Sequence, residues 1–302
     1  SLSVSAEAGA FRLDLRAARG LRSLDVYIGG RLARRMPLEG PATSLTLGPH
    51  ELPPAAFATL LAIDANGFTS PPTEIVLGTR ATTGAGRLFG LAVGGDRYPK
   101  MPGSDLNYAA ADAQRIARAV AASPLYAKVD VGTMLNEDAT EASILARLDA
   151  VIGEAGEGDT LLLSFAGHGL IGGDGRLRLA LSSTDGSDVD GTSLAFDAVA
   201  QRIKAAKARV IVLLDACHAG VTGQAEAATN EDAVDQLVTQ GGAGIVILSA
   251  SKGRQFSEEL ATLGGGRFSV AIDDTLSAGR AAADSDGNGA VSLLELYRAV
   301  KG

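Results

Sequence analysis

The sequence predicts an α/β protein with a mainly parallel sheet flanked by helices, preceded by a small all-β sandwich domain. Runs of consecutive apolar residues at 160–166 and 209–215 are typical of strands that are buried on both faces of a parallel sheet. From residue 88 onward such strands alternate with helical segments, which predicts a sheet covered by helices on both faces. Residues 1–82 instead contain short alternating segments separated by glycine and proline, the pattern of a sandwich.

Period-two alternation predicts the strands of the first 82 residues. These strands are 10–16, 24–28, 31–33, 44–47, 57–64 and 73–77, with Gly29-Gly30 as a tight hairpin turn. The run Asp64-Ala-Asn-Gly-Phe-Thr-Ser-Pro71 resembles the closing hairpin of bacterial immunoglobulin-like modules. We therefore expect residues 1–82 to form an immunoglobulin-like β-sandwich accessory domain. The small polar segment 78–86 is the predicted linker to a second domain over 86–302.

Strands and helices alternate through this second domain. Apolar runs predict strands over 88–93, 129–135, 160–166, 209–215 and 243–249, with a short hairpin at 176–181. Apolar residues at helical spacing predict helices over 108–120, 141–152, 194–206, 268–276 and 293–300. Thr140 precedes the second of these helices and is its candidate N-cap.

Composition narrows the class of function. The net charge of −8 argues against a general nucleic-acid binder, which needs a basic surface, and no run of about 18 apolar residues is present to cross a membrane. A single cysteine excludes an internal disulfide and leaves the compartment undecided, with the cytoplasm favoured. The chain begins at Ser1 without a methionine, which leaves room for upstream domains that are missing from it.

Two of the predicted buried strands end in residues that carry chemistry. Cys217, the only cysteine, follows strand 209–215, and the glycine-flanked His168 follows strand 160–166. Their spacing of 49 residues suffices for a loop, a crossover helix and a return strand, which places the two strand ends side by side. Histidine titrates near working pH and can take the proton of a thiol, so we predict a nucleophile–base pair. A small buried hydrophobe is the alternative reading of a lone cysteine.

The residues around this pair resemble a known family. The stretches Ser164-Phe-Ala-Gly-His168-Gly169 and Asp215-Ala-Cys217-His218-Ala-Gly220 are similar to the paired motifs of the caspase–metacaspase cysteine peptidases, bacterial caspase-like members included. The resemblance covers residues 86–302. It implies a caspase-like fold, with Cys217 as nucleophile and His168 as general base and acid. The backbone amides of Gly169 and Cys217 are the expected oxyanion donors.

The resemblance also bears on substrate choice. Caspases have glutamine two residues before the cysteine, whereas this chain has Asp215, as metacaspases do. A carboxylate at the bottom of a specificity pocket favours a basic P1 side chain through a charge-assisted hydrogen bond. The metacaspase pattern adds a second acid early in the first helix, which Asp112 matches, although a solvated helix residue is the alternative. We therefore expect a cysteine endopeptidase that cleaves proteins or peptides after Arg or Lys.

The segment 221–240 lies where caspases are cut into two subunits. It contains no Arg or Lys. An enzyme that cleaves after basic residues cannot cut itself there. We therefore expect the enzyme to be active as a single chain.

The segment 284–295 fits the twelve-residue EF-hand loop, with acids or amides at its positions 1, 3 and 5, glycine at 6 and glutamate at 12. The candidate calcium ligands are Asp284, Asp286, Asn288, Ala290, Ser292 and Glu295. A plain turn before the last helix is the alternative, because EF-hands usually work in pairs. The thiol–imidazole chemistry itself requires no cofactor.

A catalytically silent interaction module with the same fold is the competing hypothesis. The joint presence of Cys217, His168 and Asp215 favours the enzyme, because a scaffold has no need to keep all three. A redox enzyme lacks support, since a dithiol cycle requires a second cysteine.

Overall fold

The computed structural model divides into two compact units, Ser1–Thr82 and Thr83–Gly302, which are described one at a time. The residues that the structure describes are 2–7, 10–28, 31–48, 51, 57–76, 86–216, 226–227, 245–249, 259–260, 264–285 and 289–301.

The first unit is built from antiparallel strands over its described residues. These strands are β1 (Leu2–Glu7), β2 (Ala10–Arg16), β3 (Leu21–Ile28), β4 (Arg31–Pro37), β5 (Ala42–Leu47), β6 (Phe57–Asp64) and β7 (Thr73–Val76). They form one sheet in the order β1-β2-β5 and another in the order β4-β3-β6-β7. Leu13 of β2, Leu24 of β3 and Leu60 of β6 belong to one buried cluster, so the two sheets share a core. Strand β1 was not predicted, although its sequence Leu-Ser-Val-Ser-Ala-Glu alternates apolar and polar residues.

The second unit is organised around a parallel sheet. Its strands are β8 (Arg87–Gly94), β9 (Lys128–Leu135), β10 (Thr160–Ala166), β11 (Gly169–Ile171), β12 (Leu177–Leu179), β13 (Leu194–Ala195), β14 (Arg209–Asp215), β15 (Glu226–Ala227), β16 (Ile245–Ser249), β17 (Glu259–Leu260) and β18 (Gly265–Gly266). Among the described residues, five strands pair in parallel in the order β16-β14-β10-β8-β9. The short antiparallel sheets β13-β12-β11-β15 and β17-β18 lie outside it.

Helices cover both faces of the parallel sheet. They are α1 (Ala109–Ala121), α2 (Glu141–Glu154), α3 (Val189–Thr192), α4 (Phe196–Ala205), α5 (Arg267–Leu276), α6 (Arg280–Ala283) and α7 (Leu293–Lys301), with a 3₁₀ turn at Asn136–Asp138. Leu148 of α2 and Phe196 of α4 pack on one face, whereas Ile116 of α1 and Ile272 of α5 pack on the other. The predicted α/β class is therefore confirmed.

Local sequence signals explain where the second helix begins. The hydroxyl of Thr140 accepts a hydrogen bond from the amide of Ser143 at 3.1 Å, and the Ser143 hydroxyl accepts one from the Thr140 amide at 3.0 Å. This reciprocal capping box satisfies two donors that a helix start leaves free, so the predicted N-cap is confirmed.

None of the helices in the described part of the chain combines the length and the apolar character that a membrane span requires.

The carboxyl end of β8 lies directly against the start of α1, and Gly94 makes this approach possible. A Cβ atom at position 94 would lie 2.7 Å from Cα of Ala110 and would also overlap the carbonyl oxygen of Ala109. Both atoms belong to backbone, which cannot rotate away as a side chain can. The N-terminal turn of α1 is thereby fixed over the sheet.

We predict that Gly94→Ala lowers the free energy of unfolding by about 1–3 kcal/mol, the usual cost of overpacking. Urea denaturation followed by circular dichroism measures this change. Gly153→Ala is the matched control, because a Cβ there meets nothing within 4 Å and alanine favours the α2 helix. A Gly94→Ala variant as stable as the wild type would show that α1 does not pack on β8 in this way.

Candidate active site

His168 lies at the carboxyl end of the parallel sheet, two residues after the end of β10. All seven residues of β10 are buried, and His168 itself has no exposed surface. Gly167 separates them, and a Cβ atom there would lie 2.8 Å from the hydroxyl oxygen of Tyr98. The glycine therefore lets Tyr98 reach the turn that presents His168.

Two neighbours orient the His168 ring. The Tyr98 ring lies 4.8 Å from it between centroids, and the Tyr98 hydroxyl accepts a hydrogen bond from the His168 amide at 3.3 Å. The same hydroxyl donates to the carbonyl of Gly95 at 2.9 Å. Burial raises the pKa of Tyr98, so its phenol stays protonated and keeps both bonds.

The contact between His168 and Ser104 selects one tautomer. The Nε2 atom of His168 lies 2.6 Å from the carbonyl oxygen of Ser104. A carbonyl oxygen can only accept a hydrogen bond, so Nε2 carries the hydrogen. In the neutral ring, Nδ1 then holds the lone pair that can take a proton.

Strand β14 brings the second predicted motif to the same edge. It pairs with β10 from Thr160–Arg209 to Ala166–Asp215, a constant offset of 49 residues. Beyond the paired strands, the amide of Gly167 donates to the carbonyl of Asp215 at 3.1 Å. The described chain runs to Ala216, and Cys217 lies outside the described residues.

The Gly169 amide is engaged within the protein. It donates to the carbonyl oxygen of Ala216 at 2.7 Å. An oxyanion can receive this hydrogen bond only after the Ala216 carbonyl turns away. The predicted oxyanion role of Gly169 thus requires a change at the residue that precedes Cys217.

The two predicted pocket acids face one point. Asp112 lies in the first turn of α1, Asp215 ends β14, and each is 4% exposed. A Cβ atom on Gly266 would lie 3.0 Å from Oδ2 of Asp112 and 3.1 Å from Oδ2 of Asp215. The two Oδ2 atoms therefore both lie next to the position that a side chain at 266 would occupy. Glycine at 266 keeps the space in front of them clear of a side chain.

The other oxygen of Asp112 is held from behind. Its Oδ1 accepts hydrogen bonds from Arg115 Nη1 at 3.0 Å, from Ser269 Oγ at 2.5 Å and from the Gly266 amide at 3.1 Å. Within the described residues, the hydrogen bond that Oδ2 accepts comes from the same Gly266 amide, at 3.0 Å. Oδ2 therefore retains capacity for a further donor.

Burial raises the pKa of Asp112 to about 6. The hydrogen bonds from Ser269 and Gly266 oppose that rise, the nearby Asp215 carboxylate adds to it, and Arg115 opposes it. The second charge of the acid pair is therefore present above about pH 6 and is lost as the pH falls through that value.

Several residues of this site have no role in the sequence analysis. Ser104 acts through its backbone carbonyl, and Gly266 through the absence of a side chain, so neither has a sequence signature. Ser269 meets Asp112 from 157 positions away, which no local pattern predicts. Arg115 was detectable, because a basic residue three positions after an acid on a helix is a recognised pairing.

The loop at 284–295 is closed by its own groups. Oε1 of Glu295 accepts from the amide and the hydroxyl of Ser285, each at 2.7 Å, and Oε2 accepts from the Ser292 amide at 2.9 Å. Burial favours the neutral form of Glu295, but the bonds from Ser292 and Ser285 outweigh it and hold the pKa below its usual value. Asp284 Oδ2 accepts from the Gly289 amide at 2.8 Å.

Each carboxylate oxygen has two lone pairs, so these hydrogen bonds leave Asp284 and Glu295 able to coordinate a calcium ion. The described residues of the loop form a turn before α7, and the calcium site stays a prediction. No cluster of three His, Cys, Asp or Glu side chains suited to a metal occurs in the described part of the chain. Asp286 and Asn288, two of the predicted ligands, lie outside the described residues.

Three other predicted features also lie outside the described residues. They are His218, the segment 221–240 except 226–227, and the linker 78–86 except Gly86.

Comparison with known proteins gives little further information. No protein-family model matches the chain, and no curated protein matches it. Among solved structures, the crystal structure of protein GSU0716 from Geobacter sulfurreducens resembles it with 20% sequence identity and a TM-score of 0.49, over 71% of this chain and 88% of that chain. A likeness at this level carries no argument about function.

Proposed function

We propose that the chain is a cysteine endopeptidase of the caspase–metacaspase type, which cleaves peptide bonds after Arg or Lys. One observation carries the proposal. The offset between β10 and β14 equals the spacing of 49 residues between His168 and Cys217, so His168 stands beside the strand end that leads into Cys217. The buried acids Asp112 and Asp215 lie at the same end of the sheet.

The proposed chemistry uses His168 as base and then as acid. Nδ1 takes the proton of the Cys217 thiol, and the thiolate attacks the carbonyl carbon of the substrate. The Cys217 and Gly169 amides stabilise the oxyanion that forms, once the Ala216 carbonyl has released Gly169. His168 then protonates the leaving amine, and water hydrolyses the thioester to free the thiol. No cofactor is needed for these steps.

The Ser104 carbonyl stabilises the charged state of His168 in this scheme. When Nδ1 gains its proton the ring becomes positive, and the bond from Nε2 to the carbonyl strengthens because its donor is now charged. The same bond keeps the ring from rotating, so Nδ1 stays on the side away from Ser104. Ser104 is therefore a positioning residue in the proposed mechanism.

The acid pair supports the proposed preference for basic P1 side chains. Oδ2 of Asp112 and Oδ2 of Asp215 border the space in front of Gly266. A guanidinium group can donate to both oxygens at once, and an ammonium group can pair with either. An acidic P1 side chain would meet two carboxylates and be repelled.

In this proposal residues 1–82 are an immunoglobulin-like accessory domain and residues 86–302 the caspase-like peptidase domain. Both sheets of the first unit pack on one apolar cluster, which agrees with a sandwich. The substrates are proteins or peptides that carry accessible Arg or Lys.

We predict that the wild type hydrolyses fluorogenic peptides with P1 Arg or Lys at least about 100-fold faster, in kcat/KM, than the matched P1 Asp peptide, because the pocket offers two carboxylates. Initial rates under reducing conditions with and without calcium measure this. Cys217→Ala and His168→Ala should each lose nearly all activity. If no peptide is cleaved under any of these conditions, the chain is the catalytically silent module instead.

Gly266→Ala should raise KM for P1 Arg peptides about tenfold or more, with a smaller effect on kcat, because the added methyl group fills the space between the two Oδ2 atoms. The backbone at this position has φ −69° and ψ 142°, which alanine adopts readily. Gly186→Ala is the control, since its Cβ makes ordinary contact at 3.6 Å with Met101. An unchanged KM in Gly266→Ala would move the P1 pocket elsewhere.

The proposed enzyme acts as a single chain, because 221–240 offers no basic residue at which it can cut itself. Intact-mass spectrometry of the active protein should therefore find no cleavage within that segment. A cut there that is absent from Cys217→Ala would contradict either the single-chain proposal or the basic specificity.

A further inference from the structure

Arg115 lies behind the acid pair and joins helix α1 to residues 264–269. It stands one helical turn after Asp112 on α1, and its side chain is 17% exposed. Nη1 donates to Asp112 Oδ1 at 3.0 Å and to Ser269 Oγ at 3.2 Å, and Nη2 donates to the carbonyl of Gly264 at 3.0 Å. The guanidinium group thus fixes α1 to the segment that supplies Gly266.

Several charged and polar groups surround Asp112. The charged or polar groups that face it are Arg115 from its own helix, Asp215 from the end of β14, and Ser269 with the Gly266 amide from the start of α5. Asp273 of α5 also lies 3.9 Å from Nε of Arg115. Among the described residues that face Asp112, Arg115 is the one cation. Two neighbouring buried carboxylates without a cation would share a proton instead of both ionising.

We propose that Arg115 is a positioning residue that sets the charge and the orientation of the P1 pocket. By holding Oδ1 of Asp112 from behind, it keeps that carboxylate ionised beside Asp215 and turns Oδ2 toward the space in front of Gly266. It acts through Asp112 and does not touch the P1 side chain. The inference rests on the proposed function, whose substrates it concerns.

The direction of the pH dependence follows from these contacts. In the wild type, the affinity for a basic P1 group rises as Asp112 ionises, with a midpoint near pH 6. Removal of Arg115 withdraws a group that favours the ionised form, so the pKa of Asp112 rises further. The midpoint then moves to higher pH, and at neutral pH the second charge is present in a smaller fraction of the molecules.

The test uses agmatine, which has the guanidinium side chain of arginine without a peptide bond. Its binding to the Cys217→Ala protein is measured by calorimetry between about pH 5 and pH 9, which excludes any contribution from catalysis. We expect the midpoint of the affinity to rise by about one pH unit in Arg115→Met, with affinity at neutral pH reduced about twofold. Arg115→Lys should restore most of the wild-type profile, since an ammonium group still pairs with Asp112.

Ser269→Ala provides a second variant in case Arg115→Met does not fold, which thermal denaturation reveals. It removes one donor from Asp112 Oδ1 and should shift the midpoint in the same direction. An Arg115→Met profile that coincides with the wild type overturns the proposal. So does a loss of affinity that is the same at every pH, which would mean a merely structural role. Where only Ser269→Ala folds, an unshifted midpoint in that variant has the same consequence.

Peptide hydrolysis separates this inference from the function on which it rests. Agmatine binding with the expected shifts, together with no hydrolysis by the protein with intact Cys217, would retain the pocket and remove the peptidase proposal. Hydrolysis after Arg, together with an unshifted Arg115→Met binding profile, would retain the peptidase proposal and remove the proposed role of Arg115. If the Cys217→Ala protein with an otherwise unchanged pocket binds no agmatine at any pH, both the pocket assignment and the role of Arg115 are overturned.

Discussion

The pairing of β10 with both of its neighbours is the constraint on which the candidate site depends. Ala166 is in register with Gly94 of β8 on one side and with Asp215 of β14 on the other. Parallel pairing brings the carboxyl ends of all three strands to one edge, where α/β proteins place their chemistry. His168 and the chain that leads into Cys217 therefore meet because backbone hydrogen bonds fix the strands, independently of any attraction between their side chains.

A second constraint is electrostatic. Burial of a carboxylate costs several kcal/mol unless hydrogen bonds or a cation offset it, and Asp112 and Asp215 are buried side by side. Asp112 is compensated by Arg115, Ser269 and the Gly266 amide. Three of these hydrogen bonds reach Oδ1 of Asp112 and one reaches Oδ2. Oδ2 therefore remains directed at the space in front of Gly266. The same groups that make the burial tolerable thereby define what the pocket can bind.

Local sequence signals predicted much of this fold. The strands at 160–166 and 209–215 were predicted with the bounds that the structure has, because each contains at least three consecutive apolar residues, at 161–163 and 210–214. The helix after Thr140 was predicted from its cap. Short strands such as Glu259–Leu260 and Gly265–Gly266 were not, because they consist of two residues each and depend on distant partners.

The candidate site was predictable only in part. Asp112 and Asp215 were chosen from a family resemblance, and their common approach to Gly266 depends on tertiary contacts that no spacing reveals. At the loop 284–295 the sequence pattern for calcium coincides with a turn that Glu295 closes through Ser285 and Ser292, and the calcium site stays a prediction. A carboxylate at position 12 serves either purpose, so the pattern alone does not distinguish them.

The central claim is that a basic P1 side chain enters the space bordered by the two Oδ2 atoms while Cys217 attacks the following carbonyl carbon. A crystal structure of the protein after reaction with a peptidyl-arginine acyloxymethyl ketone tests it most directly. The account predicts a thioether at Cys217 and a guanidinium group within hydrogen-bond distance of Oδ2 of both Asp112 and Asp215, with the Gly169 amide released from Ala216. An unmodified Cys217, or an arginine side chain bound away from Gly266, would contradict it.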